Sequence, residues 1–237
     1  MTLYEVHSAL ARNLGDPFKS DGLSTIYDGV RYSAEARKNY LYRACCSIIS
    51  EVITQLASVP REQSTEIMAT LFPSLITKLE LPDPIPSSAQ SSDNFYDLAN
   101  NPDSLSIAYV LGVYAFYDND TDSLPIPIVS AYRARKITSR GSRSQMNDPI
   151  AWLNLNYNYS ATNAFRIYLN QGSVDLTGRY LGVSFIRYPL NQVLTDGTLG
   201  FDFESSYYNT VLNKATLYGM TDGGDLTPEQ ILPLLAK

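Results

Sequence analysis

One segment dominates what this chain can become: YSAEARKNYLYRACCSIISEVITQLASVP, residues 32–60. Leu41, Ala44, Cys45, Ile48, Ile49, Val52, Ile53 and Leu56 recur at helical spacing and form one broad apolar stripe. Ser33 is placed to cap this helix, and Glu35 lies in its first turn, where the helix dipole favours a negative charge. Pro60 follows its end. A stripe this wide has to be buried against other elements, so the fold must supply partners.

Helical partners lie on both sides in the chain. TLYEVHSALARNLG (2–15) offers Thr2 as a cap, sets Leu3, Val6, Leu10 and Leu14 on one side, and stops at Gly15. Residues 16–32 carry Asp16-Pro17, Asp21-Gly22 and Asp28-Gly29 and read as an irregular connection. Beyond Pro60 the spacing of Ile67, Met68, Leu71, Leu75, Ile76 and Leu79 predicts a second helix from about Glu62 to Leu79. Pro73 should kink or split it. With a short connector, the two would form an antiparallel hairpin. Near the other end, FESSYYNTVLNKATLYG places Tyr207, Tyr208, Val211, Leu212, Ala215 and Tyr218 at helical spacing and stops at Gly219.

Between these segments the chain changes character. ELPDPIPSSAQSSDN (80–94) has no periodicity and reads as a linker or exposed loop. Residues 104–190 are strand-like. SIAYVLGVYAFYD (106–118) is apolar and aromatic and fits either a strand or a buried helix. IPIVSAYRARKITSR alternates, with Ile126, Ile128, Ser130, Tyr132 and Ala134 on one face. AFRIYLNQGS and RYLGVSFIRYP follow, joined by the turn-rich GSVDLTG. The expected fold class is α+β. Residues 1–79 and 201–237 form a helical bundle, and 80–200 form an inserted antiparallel β-sheet or sandwich region entered through the Pro/Ser-rich loop 80–94.

Composition agrees with a real core: of 237 residues, 44% are hydrophobic and 18% charged. There are 18 Tyr against 8 Phe and one Trp. Tyr suits half-buried and interface positions, though it also simply replaces Phe in strands. The net charge of −6 argues against a free-standing nucleic-acid binder, which would be basic. No signal peptide opens the chain and no apolar run approaches about 18 residues, so synthesis and folding in a cytoplasm are expected. Cys45 and Cys46 point about 100° apart on a helix, which disfavours a disulfide between them and fits a reducing compartment.

Chemistry is sparse. His7 is the one histidine and belongs to no motif. Two adjacent Cys and one His cannot supply the usual four zinc ligands. Neither a phosphate-binding G-x-x-x-x-G-K-[ST] loop nor a G-x-G-x-x-G after a strand is present. Asp118, Asp120 and Asp122 resemble the opening of a calcium loop, but Ser123 stands where its glycine belongs and Val129 where its terminal Glu belongs. No residue is assigned a catalytic or metal role, and no cofactor is expected. One run stands out: Arg133, Arg135, Lys136, Arg140 and Arg143 put five of the 18 basic residues in YRARKITSRGSR with no acid among them. It reads either as a patch facing DNA or an acidic partner, or as an edge strand guarded by charge. After a flexible Gly-Gly, the tail GGDLTPEQILPLLAK starts with Thr227 as cap, Pro228 at the first helical position and Gln230 three residues on. Its Leu226, Ile231, Leu232, Leu234 and Leu235 are candidate inter-subunit contacts, able to dock on the same chain or on a neighbour.

The order of these features resembles that of head–tail connector (adaptor, or ring) proteins of tailed bacteriophages. The likeness is greatest to ring proteins beneath the portal in crAss-like phages. It is carried by the short N-terminal helix, then DGVRYSAEARKNYLYRACCSIISEVI, a strand ending VSFIRYP, and TLGFDFESSYYNTVLNKATLYG. In those proteins a strand ending in Tyr-Pro often precedes an acidic stretch and a helix. Here the positions are Tyr188-Pro189, then Asp202 and Glu204, then the helix to Tyr218. The resemblance implies a virion protein without enzymatic activity, one subunit of a ring of about twelve copies joining portal to tail around the DNA channel. It implies contacts with like subunits, the portal and other connector or tail proteins, non-specific contact with DNA, and no membrane. RYLGVSFIRYP would then be a scaffold strand, with Pro189 ending its ladder. The residues also leave open a β-rich ligand- or glycan-binding attachment module, for which Tyr abundance and WLNLNYNYSATNAF would serve. An enzyme with a carboxylate-only site has the weakest support.

Overall fold

The computed structural model describes residues 2–18, 25–81, 83–85, 94–97, 107–117, 123–130, 132–134, 148–156, 164–189 and 203–222. The fold is α+β. The chain divides into two compact units, one of residues 1–75 with 188–237 and one of residues 76–187.

The first unit is helical. Its helix α1 (Leu3–Asn13) opens with a full capping box: Thr2 Oγ1 accepts from the Glu5 N–H, and Glu5 Oε2 accepts from the Thr2 N–H. It closes in a Schellman turn. The Gly15 N–H donates to Arg12 O and the Asp16 N–H to Ala11 O, which requires the positive φ of 67° at Gly15. The long helix α2 (Ala34–Gln55) is capped twice, by Ser33 Oγ on the Ala36 N–H and by Asp28 Oδ1 on the Ala34 N–H.

Helix α3 (Arg61–Leu71) is shorter than its apolar spacing predicts. Phe72 leaves the helical region (φ −131°, ψ 51°), Pro73–Leu75 form a 3₁₀ turn, and Ile76–Glu80 are a strand, β1. The residue before a proline is pushed out of the α region, and ITKLE then buries only Leu79. Pro73 therefore splits the segment, and residues 76–79 belong to the β unit.

Helix α4 (Tyr208–Asp222) packs along α2. Lys214 pairs with Glu51 at 2.7 Å and Asp222 with Arg43 at 2.8 Å, so the two helices run antiparallel. These exposed pairs set register more than they stabilise, at about 0–1 kcal/mol each. Gly219 allows α4 to approach the end of α1 closely, because a Cβ there would meet Leu14 Cδ2 at 2.7 Å. Val6, Leu10, Ala44, Ile49, Met68, Phe72, Val211 and Ala215 are buried within this unit. Phe72 joins its two stretches of chain, stacking on Tyr207 at 5.4 Å and tilting against Phe203 at 5.9 Å.

The second unit holds two antiparallel sheets. The other strands are β2 (Asn94–Asp97), β3 (Ile107–Phe116), β4 (Leu124–Ile126), β5 (Ile150–Asn156), β6 (Ala164–Asn170) and β7 (Tyr180–Arg187). Their orders are β1-β7-β3-β4 and β2-β6-β5. Residues 107–116, open between strand and helix in the sequence, are a strand. RYLGVSFIRYP supplies β7, the inner strand between β1 and β3. Leu181, Val183 and Phe185 join Val113, Ala115, Ile167 and Leu169 in one core fed by both sheets. On the opposite face Gly182 sits beneath the Tyr114 ring directly across the ladder.

The alternating run from Ile126 is not one strand. β4 ends at Ile126, Ile128 makes a single parallel bridge to Ala151, and Tyr132–Ala134 form a helical turn. Ser130 caps that turn: its Oγ accepts from the Arg133 N–H at 3.2 Å, and its carbonyl from the Ala134 N–H at 2.9 Å. Arg133 is thus on a helical turn, not a strand face.

Candidate functional site

The basic run is described only at its start, where Arg133 is exposed. Arg135, Lys136, Arg140 and Arg143 lie outside the described residues, as do Leu226, Ile231, Leu232, Leu234 and Leu235 of the tail and Asp118, Asp120 and Asp122. Among the described residues no cluster of three or more His, Cys, Asp or Glu could hold a metal ion. No described helix is long and apolar enough to cross a membrane.

The buried polar groups of the helical unit include Asp16, Arg37 and His7. Asp16, 4% exposed, accepts three backbone hydrogen bonds at 2.8 Å, from Val30 to Oδ1 and from Arg31 and Tyr32 to Oδ2. Burial alone would raise its pKa, but these donors and nearby Arg37 outweigh it and hold the carboxyl below its ordinary value. Arg37 is fully buried, donates to the carbonyls of Tyr32 and Tyr27, and lies 4.8 Å from the Phe18 ring centroid. Together Asp16 and Arg37 tie the irregular 25–32 connection to α2. His7, 3% exposed on α1, has its pKa lowered to about 4 by burial, then by the charges of Arg37 and Lys38. A neutral histidine of this kind belongs to the packing. Among the described residues its Nδ1 has no hydrogen-bond partner.

The cysteines are equally quiet. Neither is in a disulfide; Cys45 is buried and Cys46 half-buried. Burial raises the Cys46 pKa despite its hydrogen bond with Tyr42, which is the opposite of an activated thiolate. The tyrosines are more suggestive. Tyr114, Phe116 and Tyr180 form a half-buried row across β3 and β7, with centroids 5.7 and 5.9 Å apart. Arg179 lies 4.5 Å over the exposed ring of Tyr117. Such a row offers contact area and no chemistry.

One concave feature escaped the sequence. A cleft of about 350 Å³ is lined by Ile48, Val52, Leu56, Ile67, Leu71 and Tyr207, with Glu51, Gln55 and Thr210 also on its walls. The sequence merges Ile48, Val52 and Leu56 into one buried stripe. In the fold Ile48 is buried while Val52 and Leu56 stay half-exposed. The excess width of the stripe was the signal.

Comparison with protein-family models and with curated proteins finds no match for this chain.

Proposed function

We propose that this chain is a structural virion protein, a head–tail connector or ring subunit of a tailed bacteriophage that joins portal to tail around the DNA channel. The observation that supports the reading is the layout. A helical unit is made from both ends of the chain, and the β unit is carried between them in sequence. The segments that bear the connector resemblance are α1, α2, β7 with its trailing Tyr188-Pro189, and α4. The reading assigns no catalytic step and calls for no cofactor. Its partners are like subunits, the portal, other connector or tail proteins, and passing DNA without sequence preference.

Charge reversal at Arg133, Arg135 and Arg140 tests the DNA-facing or partner-facing role of the basic run. The triple Glu variant should keep its far-UV spectrum and denaturant midpoint, because Arg133 is exposed. Infectious particle yield should fall by about tenfold or more, as expected where several phosphate or acidic contacts are reversed. Full yield and infectivity would remove the functional patch.

The aromatic row on β3 and β7 favours a second reading, a ligand- or glycan-binding attachment module. That module would bind its ligand as an isolated chain and would not need a ring.

A further inference from the structure

We propose that the cleft between α2, α3 and the start of α4 is the docking site for residues 226–235 of the same chain. The inference rests on the helical unit alone and stands whether or not the virion reading does.

The cleft asks for an apolar occupant. Val52, Leu56 and Leu71 are half-buried and Ile67 is 37% exposed, so hydrocarbon faces solvent across it. The charged group on its wall, Glu51, is already engaged by Lys214 and Ser47. Its size sits near the lower end of the roughly 300–1,000 Å³ typical of clefts that bury small, mainly apolar groups. A few leucine-sized side chains fit that description better than a polar or charged ligand.

The tail is such an occupant. Ile231, Leu232, Leu234 and Leu235 fall within five positions. Thr227, Pro228 and Gln230 carry the start signal of a helix, and Leu226 and Ile231 stand where a hydrophobic staple would close over it. A helix that short is not stable alone in water, and its apolar residues need a surface.

Reach favours the same molecule. α4 ends at Asp222 beside Arg43, while Tyr207 and Thr210 line the cleft at its opposite end. The way back from residue 222 to residue 210 is about 18 Å at the helical rise. Residues 223–231 span up to about 30 Å when extended. Gly223-Gly224 follows α4 at once and permits the reversal. A tethered segment acts at an effective concentration near the millimolar range, so at ordinary protein concentrations it outcompetes a neighbour's.

The test is photo-crosslinking of the full chain with p-benzoylphenylalanine placed at Thr210, an exposed residue of the cleft wall. Gln55 is the second position if that variant folds poorly. A mixture of isotope-labelled and unlabelled protein separates links within a molecule from links between molecules. The expected product runs as a monomer, joins the probe to 226–235, and contains only same-isotope pairs. Leu232→Asp with Leu235→Asp should cut its yield about tenfold or more, since each substitution removes a buried leucine. Mixed-isotope links to the tail would assign the cleft to a second copy and overturn the proposal. Links elsewhere, no links from either position, or an undiminished yield in the double variant would overturn it as well.

Discussion

Replacing Asp16 with alanine is expected to destabilise the helical unit by about 3–5 kcal/mol, the range for removing one partner from a buried charged arrangement. The change strips the acceptor from three backbone N–H groups and leaves Arg37 buried without the carboxylate that offsets its charge. Arg37 Nε already has no hydrogen-bond acceptor among the described residues, so little slack remains. Asn is not expected to rescue. Both carboxylate oxygens accept N–H groups, and an amide would turn its NH₂ toward one of those donors. Urea denaturation followed by circular dichroism checks this. A loss below about 1 kcal/mol would mean that the 25–32 connection does not depend on Asp16.

The second large effect is with acid. His7 has a folded pKa of about 4 against an ordinary 6.5. Between those values the unfolded chain binds more protons than the folded one, so stability rises with pH across that window. The contribution is complete above pH 6.5 and is lost as pH falls toward 4, a total of about 3 kcal/mol. By pH 5 about 2 kcal/mol should be gone. The charges that oppose protonation are Arg37 and Lys38 on α2. His7→Leu removes the titration, and Nδ1 has no hydrogen-bond partner among the described residues to forfeit. The variant should therefore hold its denaturant midpoint nearly level from pH 7 to pH 5 while the wild type declines. Parallel profiles would place the acid sensitivity elsewhere. Asp16 does not confuse the comparison, because its pKa lies below 3.8 and its loss comes at lower pH.

Local signals in the chain were legible. Thr2 and Ser33 cap the helices they were expected to cap, and the β7 alternation produces a strand with Leu181, Val183 and Phe185 inward. Where two periods share the same residues, sequence misleads. Leu75, Ile76 and Leu79 satisfy helical spacing, yet Leu75 closes a 3₁₀ turn, Ile76 and Leu79 enter a five-residue strand, and Pro73 decides the matter. Ser130 and Tyr132 continue an alternation, but a serine that can cap a turn outweighs a β pattern with no ladder partner beyond Ile128 among the described residues. Asp16 gives no local hint of its role, since its donors lie fourteen to sixteen positions on. The cleft was legible only as the excess width of the α2 stripe. A helical stripe records which residues can be buried, and only the placement of α3 and α4 leaves part of it uncovered. Of the basic run, only Arg133 is described, and it lies on a helical turn rather than a strand.

The central proposal is a subunit of a ring at the unique vertex of a virus particle. Its most direct test is the copy number of this chain in density-purified virus particles, by quantitative mass spectrometry against the major capsid protein. The account predicts about a dozen copies per particle, one closed ring. Hundreds of copies, as for a capsid or tail-tube protein, or none at all, would contradict it.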